Sequence, residues 1–302
     1  MSSAAVEREE NPRKKRQRDE AAVDNMQRYL VTVEYIGSRY LGFQKQKGQD
    51  CRTIQSAVED AFSKFVGKSV ESAPSSRTDT GVHALRNVCH VDVERVSKRR
   101  PGEILPPHEP AVVKRAVNHF LQKNGEDVQV VDVRCVPRNF HARFEAKERT
   151  YYYRIIVSTE ALSVFERNRG WHISEQLNIP AMRQACDCLV GHHDFSSFRA
   201  AGCQAKSPFK TLDELGVCEM PLGLCYPSEA MRKKCGDENR ELKEERACSV
   251  EFSNSKSQLN TAGFEDALVE LPKKKPQQPH CYVITARARS FLYHQVHSSI
   301  RA

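Results

Sequence analysis

The chain has 302 residues, 39% hydrophobic and 28% charged, which is typical of a globular protein and excludes collagen, coiled-coil and wholly disordered classes. No run of about 18 apolar residues occurs, so the sequence contains no candidate membrane span. The net charge of +8 at pH 7 favours a polyanionic partner such as nucleic acid about as strongly as it favours solubility alone.

The eleven cysteines include no C-x-x-C pair and follow no secretory signal. This usage predicts free thiols in an intracellular, reducing compartment, rather than a disulfide framework or a zinc site. An oxidised pair stays open, and the choice between nucleus, cytoplasm and mitochondrion is not decided by the sequence.

Three regions follow one another along the chain. Residues 1–27 have few large apolar side chains and carry a basic run, so we predict a disordered basic tail that is either solvated or a contact for RNA or import factors. We predict that residues 28–140 form an N-terminal half of mixed helices and strands, which contains the loop motif at 75–84 described below. Residues 141–302 form a C-terminal α+β half, with a polar insertion at about 219–279.

Hydrophobic periodicity predicts the elements of each half. The first half has the order β-α-β-α-β, with room for an extra hairpin near residue 80. The second half has a similar order but no detectable sequence repeat. The predicted strands are 31–35, 87–93, 128–135, 151–157, 211–218 and 281–288, and the predicted helices are 54–65, 112–120, 178–189 and one that starts at Phe291.

The sharpest motif is S-S-R-T-D-T-G-V-H-A at residues 75–84, between a predicted helix and a predicted strand. Asp79 lies between two threonines and just before Gly81, and Arg77 precedes it by two residues. Loops at such positions often carry function. The alternative is a structural turn, in which Asp79 caps the backbone or pairs with Arg77.

A second motif combines aromatic and basic side chains. Residues 140–144 read F-H-A-R-F and residues 149–154 read R-T-Y-Y-Y-R. Between Arg134 and Arg154 there are six Lys or Arg and two Glu, a net charge of +4. Cations that hold phosphates and rings that stack on unpaired bases suit RNA binding. The alternative is an edge strand whose tyrosines pack into the core.

A third motif, S-F-L-Y-H-Q-V-H, covers residues 290–297. Phe291, Tyr293 or His294 would face a site, or the segment simply begins a core helix. His192 and His193 are predicted to lie in a loop rather than to form a ligand pair. The sequence contains no phosphate-binding loop, no dinucleotide fingerprint and no H-E-x-x-H motif, so no metal or organic cofactor is indicated.

Together these motifs resemble the TruA family of tRNA pseudouridine synthases and, within it, an animal subgroup. Ser76 stands where the family box usually has Gly, as that subgroup would have it. The matching segments, in family order, are 76–84 for G-R-T-D-x-G-V-H-A, 140–144 for F-H-A-R-F, 149–153 for R-x-Y-x-Y, 194–198 for D-F-x-S-F and 290–293 for the last box.

The resemblance implies an α+β fold, with two ferredoxin-like halves whose antiparallel sheets merge around a central basic RNA-binding cleft. It implies the isomerisation of uridine to pseudouridine at positions 38 to 40 of the tRNA anticodon arm, with no cofactor or metal. The implied partner is tRNA, and since the family often dimerises, a homodimer is compatible with it.

The resemblance also implies roles for individual residues. Asp79 would be the nucleophile, attacking C1′ of the ribose or C6 of the base, and Tyr151 would stack on the flipped uracil. Arg77 would help to open the stem or hold the flipped nucleotide. The remaining expected substrate-binding residues are His141, Arg143 and Phe291.

One departure keeps a second hypothesis open. The last family box continues to an Arg, where this chain has His297, and the chain ends at Ala302 before the helix and strand that the family pattern would add. A neutral His stabilises a carboxylate less than an Arg does. We therefore expect a truncated C-terminus, and we retain the alternative of a catalytically weak or inactive RNA-binding protein on the same scaffold. A glycosidase with paired carboxylates is disfavoured, because only Asp79 lies in a distinctive motif.

Overall fold

The computed structural model describes residues 26–46, 51–97, 99–100, 102–220 and 279–296. The chain divides into two compact units, Met1–Ala146 and Lys147–Ala302. The predicted boundary, after residue 140, is a few residues too early. Residues 141–146 belong to the first unit and not to the second.

The first unit is a four-stranded antiparallel sheet with two helices. Its sheet order is β2-β3-β1-β4, and its chain order βαββαβ is the ferredoxin-like arrangement. The short strand β2 pairs with β3 and supplies the extra hairpin that the sequence left room for. The elements are β1 (Met26–Tyr35), α1 (Ile54–Val66), β2 (Ser72–Pro74), β3 (Ala84–Glu94), α2 (Pro110–Lys123) and β4 (Val128–Val136).

Helix α1 begins and ends on local signals that its sequence carries. Thr53 caps its first turn by accepting from the backbone N–H of Ser56, and the Ser56 hydroxyl accepts from the Thr53 N–H. This reciprocal capping box satisfies two backbone donors at the helix start. Gly67 ends the helix with φ 84°, a left-handed conformation that favours glycine.

Buried and less buried side chains alternate along β1 and β3, so the sheet has an apolar face and a polar face. Tyr29, Val31 and Val33 of β1 are fully buried against the helices, together with Cys89 and Val91 of β3. Because successive side chains point to opposite faces of a strand, the residues between them lie on the other face. That face carries polar side chains, among them Arg28, Thr32, His90 and Asp92.

The predicted tail of residues 1–27 extends too far. Met26 and Gln27 belong to β1, in register with Glu94 and Val93 of β3. The Gln27 side chain also donates to the backbone carbonyls of Arg28 and Val136. The rest of the predicted tail, residues 1–25, lies outside the described residues.

The central strands of the sheet in the second unit also pair in antiparallel fashion. Its main sheet has the order β6-β5-β10-β9, and β7 and β8 form a separate two-stranded ribbon. The α+β content of both units confirms the predicted fold class, whereas the merging of the two sheets around a cleft stays a prediction. The elements are β5 (Arg149–Val157), β6 (Trp171–Ile173), α3 (Ile179–Leu189), β7 (Gly191–Asp194), β8 (Phe209–Leu212), β9 (Glu214–Met220) and β10 (His280–Ala288).

Two predictions about β7 to β9 are wrong. The single strand predicted at 211–218 is two strands, because the chain changes partner at Asp213, whose N–H donates to the Arg287 carbonyl. Residues before Asp213 pair with β7, and those after it pair with β10. The sequence predicts a loop for His192 and His193. They belong to β7, because they pair with Thr211 and Lys210 of β8.

The helix predicted from Phe291 begins later. Phe291 and Leu292 are irregular, and the described helical residues start at Gln295. His294 has φ 60°, in the left-handed region, which a helix does not admit. The Gln295 side chain accepts from the Leu292 N–H at 2.8 Å and fixes this turn. His297 lies outside the described residues.

The cysteines depart in one place from the expected free thiols. Seven of the described cysteines are free, but Cys218 of β9 is disulfide-bonded. The predicted insertion at 219–279 begins inside β9, and its residues 221–278 lie outside the described part of the chain. Within the described ranges, no helix is long and apolar enough to cross a membrane.

Candidate active site

The loop between β2 and β3, residues 75–83, carries Asp79 and Arg77 with both side chains exposed. Backbone hydrogen bonds tie this loop to the segment that follows β1. The Phe43 N–H donates to the Thr78 carbonyl at 3.0 Å, and the Gly81 N–H donates to the Tyr40 carbonyl at 3.3 Å. These bonds lie on either side of Asp79, so the position of its backbone is determined by the protein and not by the loop alone.

Buried polar side chains of β1 and β3 also form hydrogen bonds to this loop. The Tyr35 and Thr78 hydroxyls are 2.8 Å apart, and the Asn87 amide donates to the Tyr35 hydroxyl at 3.1 Å. The Asn87 amide also donates to the Ser76 carbonyl at 3.1 Å. These bonds hold Ser76 and Thr78, so they fix the backbone that leads into Asp79.

Two glycines allow the close approach of these segments. A Cβ on Gly37 would lie 2.0 Å from the Val82 carbonyl oxygen, far inside van der Waals contact. A Cβ on Gly42, which has φ +86°, would lie 2.7 Å from the Thr78 carbonyl oxygen. The hydrogen bonds around Asp79 therefore depend on two positions about 40 residues earlier in the chain that tolerate no side chain.

A second segment of the first unit, residues 137–144, carries His141 and Arg143 and is anchored to the start of β1. The Arg28 guanidinium forms a two-pronged ion pair with Asp92, with both contacts at 2.7 Å. Its Nη1 donates to the carbonyls of Arg138 and Phe140 at 2.6 Å each. The hydrogen bond from Arg28 holds the pKa of the Asp92 carboxyl below its usual range.

His90 completes the support of this segment. Its Nδ1 accepts from the Ala142 N–H at 3.2 Å, which requires an unprotonated nitrogen. Burial lowers the pKa of His90, and the neighbouring Arg28 and His141 lower it further, so the accepting form is favoured. The centroids of the His90 and His141 rings lie 4.7 Å apart, and Arg143 remains exposed.

In the second unit, Tyr151 and Phe291 are in contact. Their ring centroids are 5.0 Å apart and their planes are perpendicular. Tyr151 lies in β5 opposite Ala286 of β10, and the Arg149 side chain donates to the Arg289 carbonyl at 2.6 Å. The strand pairing and this hydrogen bond place Phe291, in the motif at 290–297, against Tyr151, the first Tyr of the R-x-Y-x-Y pattern.

The last motif is held in place by its backbone. The Tyr293 N–H donates to the Cys203 sulfur at 3.4 Å, and the Tyr293 carbonyl accepts from the Ala200 N–H at 3.3 Å. Leu292 is buried with Phe195. Phe291 is thus a fixed, half-buried ring beside Tyr151 rather than a residue inside a core helix.

The predicted site residues are distributed over both units. Asp79 and Arg77 share one loop of the first unit, and His141 and Arg143 share another segment of it. Tyr151 and Phe291 are in contact within the second unit. In the described ranges, no group of three or more His, Cys, Asp and Glu is arranged to hold a metal ion.

Comparison with known proteins identifies the family to which the chain belongs. A family model described as tRNA pseudouridine synthase matches residues 31–145 and 185–302, which include the Asp79 loop and the last motif. The tRNA pseudouridine synthase A of Bartonella quintana is 43% identical over 194 residues, which is 64% of this chain and 72% of that protein. Its counterpart in Caulobacter sp. strain K31 is 43% identical over 188 residues, 62% of this chain and 69% of that protein.

A third relative, the tRNA pseudouridine synthase A of Bartonella henselae, is 41% identical over 192 residues, which is 64% of this chain and 72% of that protein. The chain therefore belongs to the tRNA pseudouridine synthase family, a family of isomerases. These relatives confirm the resemblance to the TruA type. The animal subgroup expected from Ser76 stays a prediction.

The close approach at Gly37 predicts that Gly37→Ala destabilises the first unit by about 1–3 kcal/mol, the usual cost of an overpacked site. Urea unfolding followed by circular dichroism measures this change. Ser38→Ala, an exposed neighbour, is the matched control and should stay within about 0.5 kcal/mol of wild type. Equal stability of the Gly37 and Ser38 variants would contradict the packing described above.

The Arg28–Asp92 pair predicts a loss of stability in acid. Because the folded-state pKa of Asp92 is lowered, its contribution is fully present above the unfolded value of about 3.9 and is lost as the pH falls through the lower folded value. Wild type should therefore exceed Asp92→Asn in stability at pH 6, with the difference shrinking toward pH 3. Asp60→Asn, on an exposed face of α1, should follow wild type, and a difference independent of pH would refute the ion-pair contribution.

Proposed function

We propose that the protein isomerises uridine to pseudouridine in tRNA, with Asp79 as the nucleophile. The observation that carries this proposal is the Asp79 motif, which lies within the family match and presents an exposed carboxylate on a loop anchored by backbone and buried side chains. A carboxylate is able to form a covalent adduct and later leave it.

The reaction balances without a co-reactant. The N1–C1′ bond of the uridine breaks, the base turns, and a C5–C1′ bond forms. The C5 proton is lost and N1 gains a proton, so substrate and product are isomers. In this proposal the Asp79 carboxylate adds to C1′ or C6 and is released when the new C–C bond is complete.

The other site residues bind the substrate in this proposal. The edge-to-face pair of Tyr151 and Phe291 offers a ring surface for the flipped uracil, since aromatic side chains stack on bases taken out of a helix. Arg77 and Arg143 are exposed cations suited to phosphate contacts. We take the target to be the anticodon arm, at positions 38 to 40.

Release of tritium from tRNA labelled at C5 of uridine tests the nucleophile. Wild type should release tritium, and Asp79→Ala should release none above background because the adduct cannot form. Asp60→Asn, which alters an exposed carboxylate outside the loop, is the control and should match wild type. Transcripts with cytidine at positions 38, 39 and 40 should lose release, and undiminished release from them would refute the proposed target.

His297 supports a second candidate, a weakly active or inactive RNA-binding protein on the same scaffold. Its test is His297→Arg, which should raise tritium release if the missing cation limits the reaction, while tRNA binding persists in both forms and weakens with salt. Strong release by wild type that His297→Arg leaves unchanged would eliminate this candidate. A homodimer and an intracellular, reducing compartment remain parts of the proposal.

A further inference from the structure

Three rings of the first unit form a row that leads from the sheet to solvent, here called the ring ladder. The His90 and His141 centroids lie 4.7 Å apart, and those of His141 and Phe144 lie 4.4 Å apart. His90 is buried, whereas Phe144 is 72% exposed. The ladder therefore ends in a large apolar ring that faces water.

The support of the ladder is rigid. His90 lies in the middle of β3 and accepts from the Ala142 N–H, and Arg28 holds the carbonyls of Arg138 and Phe140. An exposed ring on a fixed backbone loses little conformational freedom when a partner binds. The backbone that carries Phe144 is therefore held in place before any partner binds.

The surroundings of Phe144 favour a nucleic acid over an apolar protein surface. The Arg143 guanidinium carbon lies 5.9 Å from the centroid of the Phe144 ring. Residues 134–147 contain three Arg and one Lys against one acidic residue, Glu145, so the segment is basic overall. A ring that stacks on a base beside a cation that holds the adjoining phosphate is the usual arrangement for single-stranded nucleic acid.

The ladder and the Asp79 loop are attached to opposite ends and opposite faces of β1. Tyr35, at one end, is on the helix face and bonds Thr78, and Arg28, seven residues away, is on the other face and holds the ladder segment. At about 3.3 Å per residue this separation along the strand is roughly 23 Å. His90, the ring of the ladder that lies in the sheet, is opposite Leu30, five residues from Tyr35, or roughly 17 Å along the strand. The two segments are thus anchored well apart, which favours a base on Phe144 other than the one that Asp79 would attack.

We propose that the ring ladder binds an unpaired base of the substrate RNA other than the target uridine, with Phe144 as the stacking residue and Arg143 on the neighbouring phosphate. The inference rests on the proposed function, because it takes the same RNA as ligand. It adds a separate subsite whose role is to hold the RNA while the target nucleotide is processed.

Fluorescence anisotropy with labelled tRNA, which needs no turnover, tests the subsite. Phe144→Ala should raise the dissociation constant by at least about 5-fold with an unchanged salt dependence, since base stacking contributes about 1–3 kcal/mol and no charge is lost. Phe144→Trp should restore binding. Arg143→Ala should weaken binding and lower the slope of log affinity against log salt by about 1.

Phe165→Ala is the matched control, because Phe165 is 76% exposed and lies in the second unit. It should bind tRNA as wild type does. In the tritium assay, Phe144→Ala should lower kcat/KM by about the factor found in binding, through KM. All variants should keep the circular dichroism spectrum and melting temperature of wild type, as expected for exposed positions.

Two outcomes overturn the subsite. An unchanged dissociation constant in Phe144→Ala would show that the ladder does not bind RNA, and its exposed ring would then be a surface for another partner. A fall in kcat at constant KM would place the ring at the target base. If wild-type protein binds tRNA but releases no tritium, the proposed isomerisation fails, while the comparison of Phe144→Ala with Phe165→Ala still decides the ladder.

Discussion

Strand β1 connects both candidate site segments of the first unit to its core. Every second residue of β1 from Tyr29 to Tyr35 is buried against the helices, so the strand cannot shift by one position without exposing the whole set. Tyr35 at its end supports the Asp79 loop, and Arg28 near its start supports the segment that carries His141. The burial of one face thereby determines where two groups of polar side chains lie.

The two supports differ in chemistry. The Asp79 loop depends on close backbone approach and on neutral hydroxyl and amide groups, which keep their hydrogen bonds across a wide pH range. The His141 segment depends on an ion pair and on an unprotonated His90. Arg28 serves two functions there, since one guanidinium neutralises Asp92 and also satisfies two backbone carbonyls.

Contiguous motifs made much of the candidate site predictable. Asp79 and Arg77 belong to one short motif, and Tyr151 and Phe291 each lie in another. The contact between Tyr151 and Phe291 was not predictable, because it depends on the pairing of β5 with β10 across more than 120 intervening residues. Gly37, Gly42, Arg28 and His90 carry no local signal, since their importance lies in what they approach.

The sequence by itself determined the strands and helices with clear periodicity, the family motifs and the identity of the exposed carboxylate, because each depends on residues close together in the chain. Only the tertiary structure decided the change of partner at Asp213, the turn at His294 and the row of rings that ends at Phe144. These features depend, at least in part, on hydrogen bonds and ring contacts between distant segments, such as Tyr293 with Cys203 and His90 with His141. Such contacts leave no periodic trace in the sequence on either side.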